Sequence, residues 1–206
     1  MKRVSLPAAG FLILLAWLVY TILQTLSVVG RVPELPYAIM AFLPGILGVV
    51  TLKAAGLGWD QLFLKAVPIS PRGFIVLAVI FVVALAVVLP FGQWQGWDWM
   101  AALVYAPSSG IAQELFFRSV LLPVVLLVLR DRPRLALVTH SIFFALWHIG
   151  PLFIGAPLWA VLAVMFVPFV CGIGWGWQVK QDGTVFWAML QHSLIWVIGL
   201  QFPMPG

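Results

Sequence analysis

The stretch Ala112-Gln113-Glu114-Leu115-Phe116-Phe117-Arg118 sets an acid and a base inside a run, about 102–128, that is otherwise apolar enough to cross a bilayer. An ionisable side chain at the centre of a membrane helix costs about 2.5–3.5 kcal/mol on insertion scales. Glu114 and Arg118 are four residues apart, so a helix carries both on one face. Such a pair turns toward other helices and away from lipid. An all-α bundle with a polar interior around Glu114 is therefore expected.

Composition points the same way. Of 206 residues, 64% are hydrophobic and 8% charged, whereas soluble domains carry about 25% charged residues. No stretch is long and polar enough for a separate soluble domain, so residues 1–206 read as a single integral membrane domain. The net charge of +5 comes without a clustered, aromatic-interleaved basic surface, which argues against nucleic acid as a partner. The single Cys171 excludes an intramolecular disulfide and a cysteine-based zinc site, and reads as a small packing residue. The apolar run after Met1-Lys2-Arg3 is longer than a signal-peptide core and reads as a retained first span.

Breaks at charges, prolines and glycines suggest about seven spans, at 6–29, 36–55, 73–92, 102–128, 135–153, 157–178 and 184–201. Between the second and third, residues 56–72 read as an interfacial loop with a short amphipathic stretch. With the N-terminus inside, the inner side holds Lys2, Arg3, Lys53, Lys65, Arg72, Arg130, Arg132, Arg134 and Lys180, and the outer loops only Arg31. That bias favours an N-in, C-out topology. Trp94, Trp97 and Trp99 then form an aromatic belt at the outer interface.

Few polar side chains remain at depth: Gln113, Glu114, Arg118, His140, His148, Gln191 and His192, on the fourth, fifth and seventh spans. Taken singly, each has a plain structural reading. Glu114 and Arg118 make a buried ion pair, and each histidine is a core residue bonding a carbonyl. His140, close to the basic 130–134 loop, keeps that reading. Taken together, a carboxylate and two imidazoles on separate helices can activate water. A buried carboxylate beside an arginine is tunable as a general base, and neutral imidazoles orient water or donate to an oxyanion. One carboxylate with two histidines is also the composition of an open zinc site.

At these residues the chain resembles the CPBP group of intramembrane proteases, the CAAX-protease and bacteriocin-processing (ABI) family. The family's Glu-Glu-x-x-x-Arg motif is matched by Gln113-Glu114-Leu115-Phe116-Phe117-Arg118, its Phe-x-x-x-His by Phe144-Ala145-Leu146-Trp147-His148, and its His-x-x-x-Asn by His192-Ser193-Leu194-Ile195-Trp196. Gly172-Ile173-Gly174-Trp175-Gly176 and Gly183-Thr184 fit the stretch between them. The likeness covers about residues 102–196. It implies a glutamic-type endopeptidase in a cell membrane, such as a prokaryotic inner or plasma membrane. The substrate would be a membrane-associated peptide or protein tail: a prenylated C-terminus, a leader peptide or a sorting tail. The resemblance implies no metal, and the Arg118 charge would oppose a cation beside Glu114.

The roles it implies are specific. Glu114 activates water, His148 orients the water or the imidazole–carboxylate pair, and His192 donates to the oxyanion. Arg118 holds Glu114, Gln113 and Trp196 line the site, and Phe144 packs beside it. Two positions depart from the family: Gln113 replaces the first Glu, and Trp196 the Asn. An amide cannot accept the base's proton, and an indole N–H only donates. Three explanations stay open: Glu114 takes over as base, the chain keeps the fold for binding, scaffolding or immunity, or Gln113 is an engineered change. A proton relay or transporter is the remaining class, and it would need further ionisable groups leading to both surfaces.

Overall fold

The central element runs unbroken from Ala101 to Val128 and carries the Gln113–Arg118 segment. In the computed structural model, which describes residues 4–202, this run has 67% of its most apolar stretch buried, against 17% for the first and the Leu158–Asp182 helices. It is the hub, and the others present apolar flanks such as Leu18, Phe74 and Phe166 outward. That is the distribution a bundle in lipid requires, because lipid solvates apolar side chains as well as a core does.

The order is α1 (Leu6–Val28), α2 (Glu34–Met40), α3 (Phe42–Ala54), α4 (Pro71–Phe91), α5 (Ala106–Phe116), α6 (Leu122–Val128), α7 (Pro133–Leu146), α8 (Leu158–Asp182) and α9 (Phe186–Gln201). Two π-helical turns, Ala101–Tyr105 and Phe117–Leu121, join α5 to its flanks without breaking the run. Such turns are rare and concentrate at functional sites; the second begins one residue before Arg118. Among the described residues there is no strand, only a single antiparallel bridge, Leu64–Thr184. Start signals act where the sequence supplies them. Ser5 accepts from Ala8 N at the head of α1, and Ser70 from Gly73 N at the head of α4.

Close approach between helices depends on glycine. A Cβ on Gly110 of α5 would lie 2.6 Å from the Ser193 backbone nitrogen, so α5 and α9 touch main chain to main chain. Small residues at such crossings let membrane helices pack through dispersion contacts. Gly48 does the same for α3 against Val120.

Every stretch read as a span is helical, and five helices are long and apolar enough to cross a membrane: Leu6–Val28, Leu35–Ala54, Ala101–Val128, Pro133–Ile154 and Leu158–Asp182. The chain is an integral membrane protein. In α4 the described apolar stretch is Pro71–Ala86. α9 has 16 residues, a rise of about 24 Å against a hydrocarbon core of about 30 Å.

The loop expected over residues 56–72 is a loop up to Ser70, with no helix in it. It folds back on the α8–α9 turn. Val185 N donates to Phe63 O at 2.9 Å, and Trp187 Nε1 to Val67 O at 2.9 Å. Leu57 and Leu62 bury their side chains in the core, which a helix lying flat on a membrane could not allow. This loop and Asp182, bonded by Ser70, gather Lys53, Lys65, Arg72 and Lys180 at one end of the bundle. The tryptophan loop docks at the opposite end, where Gln95 N bonds Gln201 O and Trp94 packs on Phe202.

Candidate functional site

Glu114 is completely buried, and each carboxylate oxygen has its own partner. Arg118 Nε lies 3.0 Å from Oε2, one helical turn along. His192 Nδ1 lies 2.8 Å from Oε1, reaching across from α9 at the crossing that Gly110 makes possible. On α9, Trp196 sits one turn after His192 and its Nε1 donates to His192 Nε2 at 3.1 Å. An indole N–H can only donate, so Nε2 carries the lone pair and Nδ1 the proton. The imidazole is held in one orientation by Glu114 on one side and Trp196 on the other.

Aromatic faces enclose this chain of contacts. The Arg118 guanidinium lies 4.2 Å from the Phe144 ring centre and 5.4 Å from that of Trp175. Its contact with Glu114 is an ion pair without hydrogen-bond geometry, and none of its three nitrogens has a hydrogen-bond partner among the described residues, so the π faces carry part of its stabilisation. Trp175 also stacks on His192, with centroids 4.4 Å apart and planes 26° from parallel. Gln191 fixes that indole: it accepts from Trp175 Nε1 at 2.6 Å while its amide donates to Leu77 O of α4.

Gln113 faces elsewhere. A step of one residue turns the side chain about 100° on a helix. Glu114 therefore meets Arg118 and His192, while Gln113 lines a separate cavity of about 230 Å³ with Gln24, Ser27, Tyr37, Ser108 and Trp196. No charged side chain lines this cavity. Gln113 is 2% exposed, and its Oε1 has no partner among the described residues. Trp196 stands between the two spaces, bordering the cavity and capping His192. Gln24, Ser27 and Leu200 put the cavity on the side of the site nearer Arg31 and the tryptophan loop.

The structure thus brings Glu114, Arg118, His192, Trp196 and Phe144 into one cluster, with Gln113 adjacent. His148 stands apart from the hydrogen-bonded chain. Its Nδ1 bonds Phe144 O at 2.9 Å, and the Phe144 ring lies beside both histidines, its centroid 5.1 Å from that of His148 and 6.3 Å from that of His192. His140 is fully buried against Gly176, and neither ring nitrogen has a hydrogen-bond partner among the described residues. Cys171 is half-buried in α8 and packs against the core. Among the described residues, no three His, Cys, Asp or Glu side chains gather as a metal-binding set. Sequence reasoning missed Trp175 and gave Gln191 no role. An apolar ring in an apolar helix carries no mark of its function, although flanking Gly174 and Gly176 signal close packing against Ile80 and Leu137.

Among protein families, the model for type II CAAX prenyl endopeptidases, Rce1-like, matches residues 93–198. No curated protein and no solved structure matches the chain.

Proposed function

The chain belongs to the Rce1-like family of type II CAAX prenyl endopeptidases, and from that premise we propose that it is an intramembrane endopeptidase acting on a membrane-associated peptide or protein tail. The observation that carries the reading is the 2.8 Å bond between Glu114 Oε1 and His192 Nδ1. A carboxylate that holds an imidazole in one tautomer leaves the other ring nitrogen as a proton acceptor. Glu114, with both oxygens engaged, works best through His192: it orients the ring and stabilises the imidazolium that forms. Arg118 holds Glu114 in place from its other oxygen.

The step balances as follows. With the Trp196 indole moved off Nε2, a water placed from the cavity gives its proton to that nitrogen. Its oxygen attacks the scissile carbonyl carbon. The oxyanion accepts from the freed Trp196 N–H or the Gln113 amide, both of which border the cavity. Collapse breaks the C–N bond, and His192 returns the proton to the leaving amine. His148 packs against the Phe144 ring, whose face lies against Arg118. The cavity lies nearer the end away from the lysine- and arginine-rich loops. An N-in orientation in an inner or plasma membrane would open it toward exported tails.

One observation favours a second reading, a binding protein on the protease fold. Gln113 stands where the family carries an acid, and Trp196 occupies the only free nitrogen of His192. A cleavage assay in reconstituted membranes with tail peptides separates the two. His192→Ala should cost about 10²–10⁴ in rate, the usual worth of a general base. Undiminished cleavage in His192→Ala overturns the assignment. A silent wild type that gains cleavage on Gln113→Glu establishes the binding reading.

A further inference from the structure

A second space on the bundle lies away from the Glu114–His192 pair. A groove of about 850 Å³ runs between α1, α6 and α7, within the range of clefts that bind small molecules. Its walls are almost wholly aliphatic, and Gly10 leaves it open on the α1 side, where an added Cβ would meet only Val124, at 3.9 Å. Leu6 to Leu14 line one wall, a rise of about 12 Å, which is under half the hydrocarbon thickness of about 30 Å. The groove therefore takes the part of a chain nearest a headgroup rather than a whole span.

Its mouth is charged. Leu129 and Leu135 line the groove, and the five residues between them include Arg130, Arg132 and Arg134, all exposed. Arg130 is matched by Asp131 at 3.8 Å. Arg132 and Arg134 form no ion pair among the described residues. Two unmatched cations at the entrance of an aliphatic groove suit an anion that carries an apolar tail.

We propose that this groove and its arginine loop form one binding site for an anionic phospholipid, with an acyl chain along Gly10 and Val124 and the headgroup phosphate at Arg132 and Arg134. The groove is lined by neither Glu114 nor His192, and the proposal stands whether or not the protein cleaves peptides.

The test uses purified, delipidated full-length protein and two lipids with identical chains, phosphatidylglycerol and phosphatidylcholine. Bound lipid is counted by native mass spectrometry, with thermal stability measured in parallel. Each arginine near an anionic surface contributes about a fivefold gain, so the wild type should prefer phosphatidylglycerol by about 25-fold. The exposed pair change Arg132→Gln with Arg134→Gln should erase the preference and leave helical content intact. Gly10→Phe, which fills the groove with the arginines untouched, should lose phosphatidylglycerol retention. Equal retention of both lipids by the wild type overturns the proposal. So does a preference that survives the arginine changes, or undiminished binding in Gly10→Phe.

Discussion

Replacing Arg118 by methionine tests whether the Glu114 pair is held as the geometry indicates. The change keeps an unbranched side chain that can pack between Phe144 and Trp175, but removes the charge 3.0 Å from Glu114. Both partners are 0% exposed, so water does not screen what is left behind. Breaking a buried pair from one side costs about 3–5 kcal/mol, because a charge remains uncompensated. In a chain of this size each kcal/mol moves the midpoint by about 2–4 °C, so the apparent Tm in detergent should fall by about 6–20 °C. Removing both charges, Glu114→Leu with Arg118→Met, should recover most of that loss, since apolar replacement of a whole buried pair is often neutral or better. With Glu114→Leu alone as the fourth protein these form a double-mutant cycle, and residues in direct contact should show strong coupling. A single variant within about 1 kcal/mol of wild type would refute the pairing, given the 3–5 kcal/mol that a buried pair commands. A double variant as unstable as the single one would show that the cost arises elsewhere.

Two further outcomes are expected. Gly110→Ala places a methyl 2.6 Å from the Ser193 main chain, so α5 and α9 must separate. An overpacking cost of about 1–3 kcal/mol should appear in thermal unfolding, and an unchanged Tm would contradict the close crossing. Gln191→Leu removes the acceptor of Trp175 Nε1. The indole then loses its hold over His192, so tryptophan fluorescence should shift and any cleavage should fall while the helical signal stays. Unaltered fluorescence and activity would leave Gln191 no positioning role.

The sequence by itself determined the class of fold and picked out the polar side chains that lie in its interior. Its composition left too few charges for a soluble surface, and its apolar runs became helices at nearly the expected positions. Glu114 and Arg118 at a spacing of four were bound to meet, because helix geometry alone puts them on one face. The local record failed where contacts are long-range. The 56–70 segment read as a loop, but where it docks was decided by partners more than a hundred residues later, at Thr184, Val185 N and the Trp187 indole. The same holds at the site. No spacing could show that Glu114 spends one oxygen on His192, that His148 turns to its own helix carbonyl, or that Gln113 faces a different cavity from its neighbour. Those outcomes depend on how closely α5 and α9 approach, a distance set by Gly110 against Ser193. Helical periodicity fixes the direction of a side chain about its own axis; only the packing of one helix on another decides what it meets there.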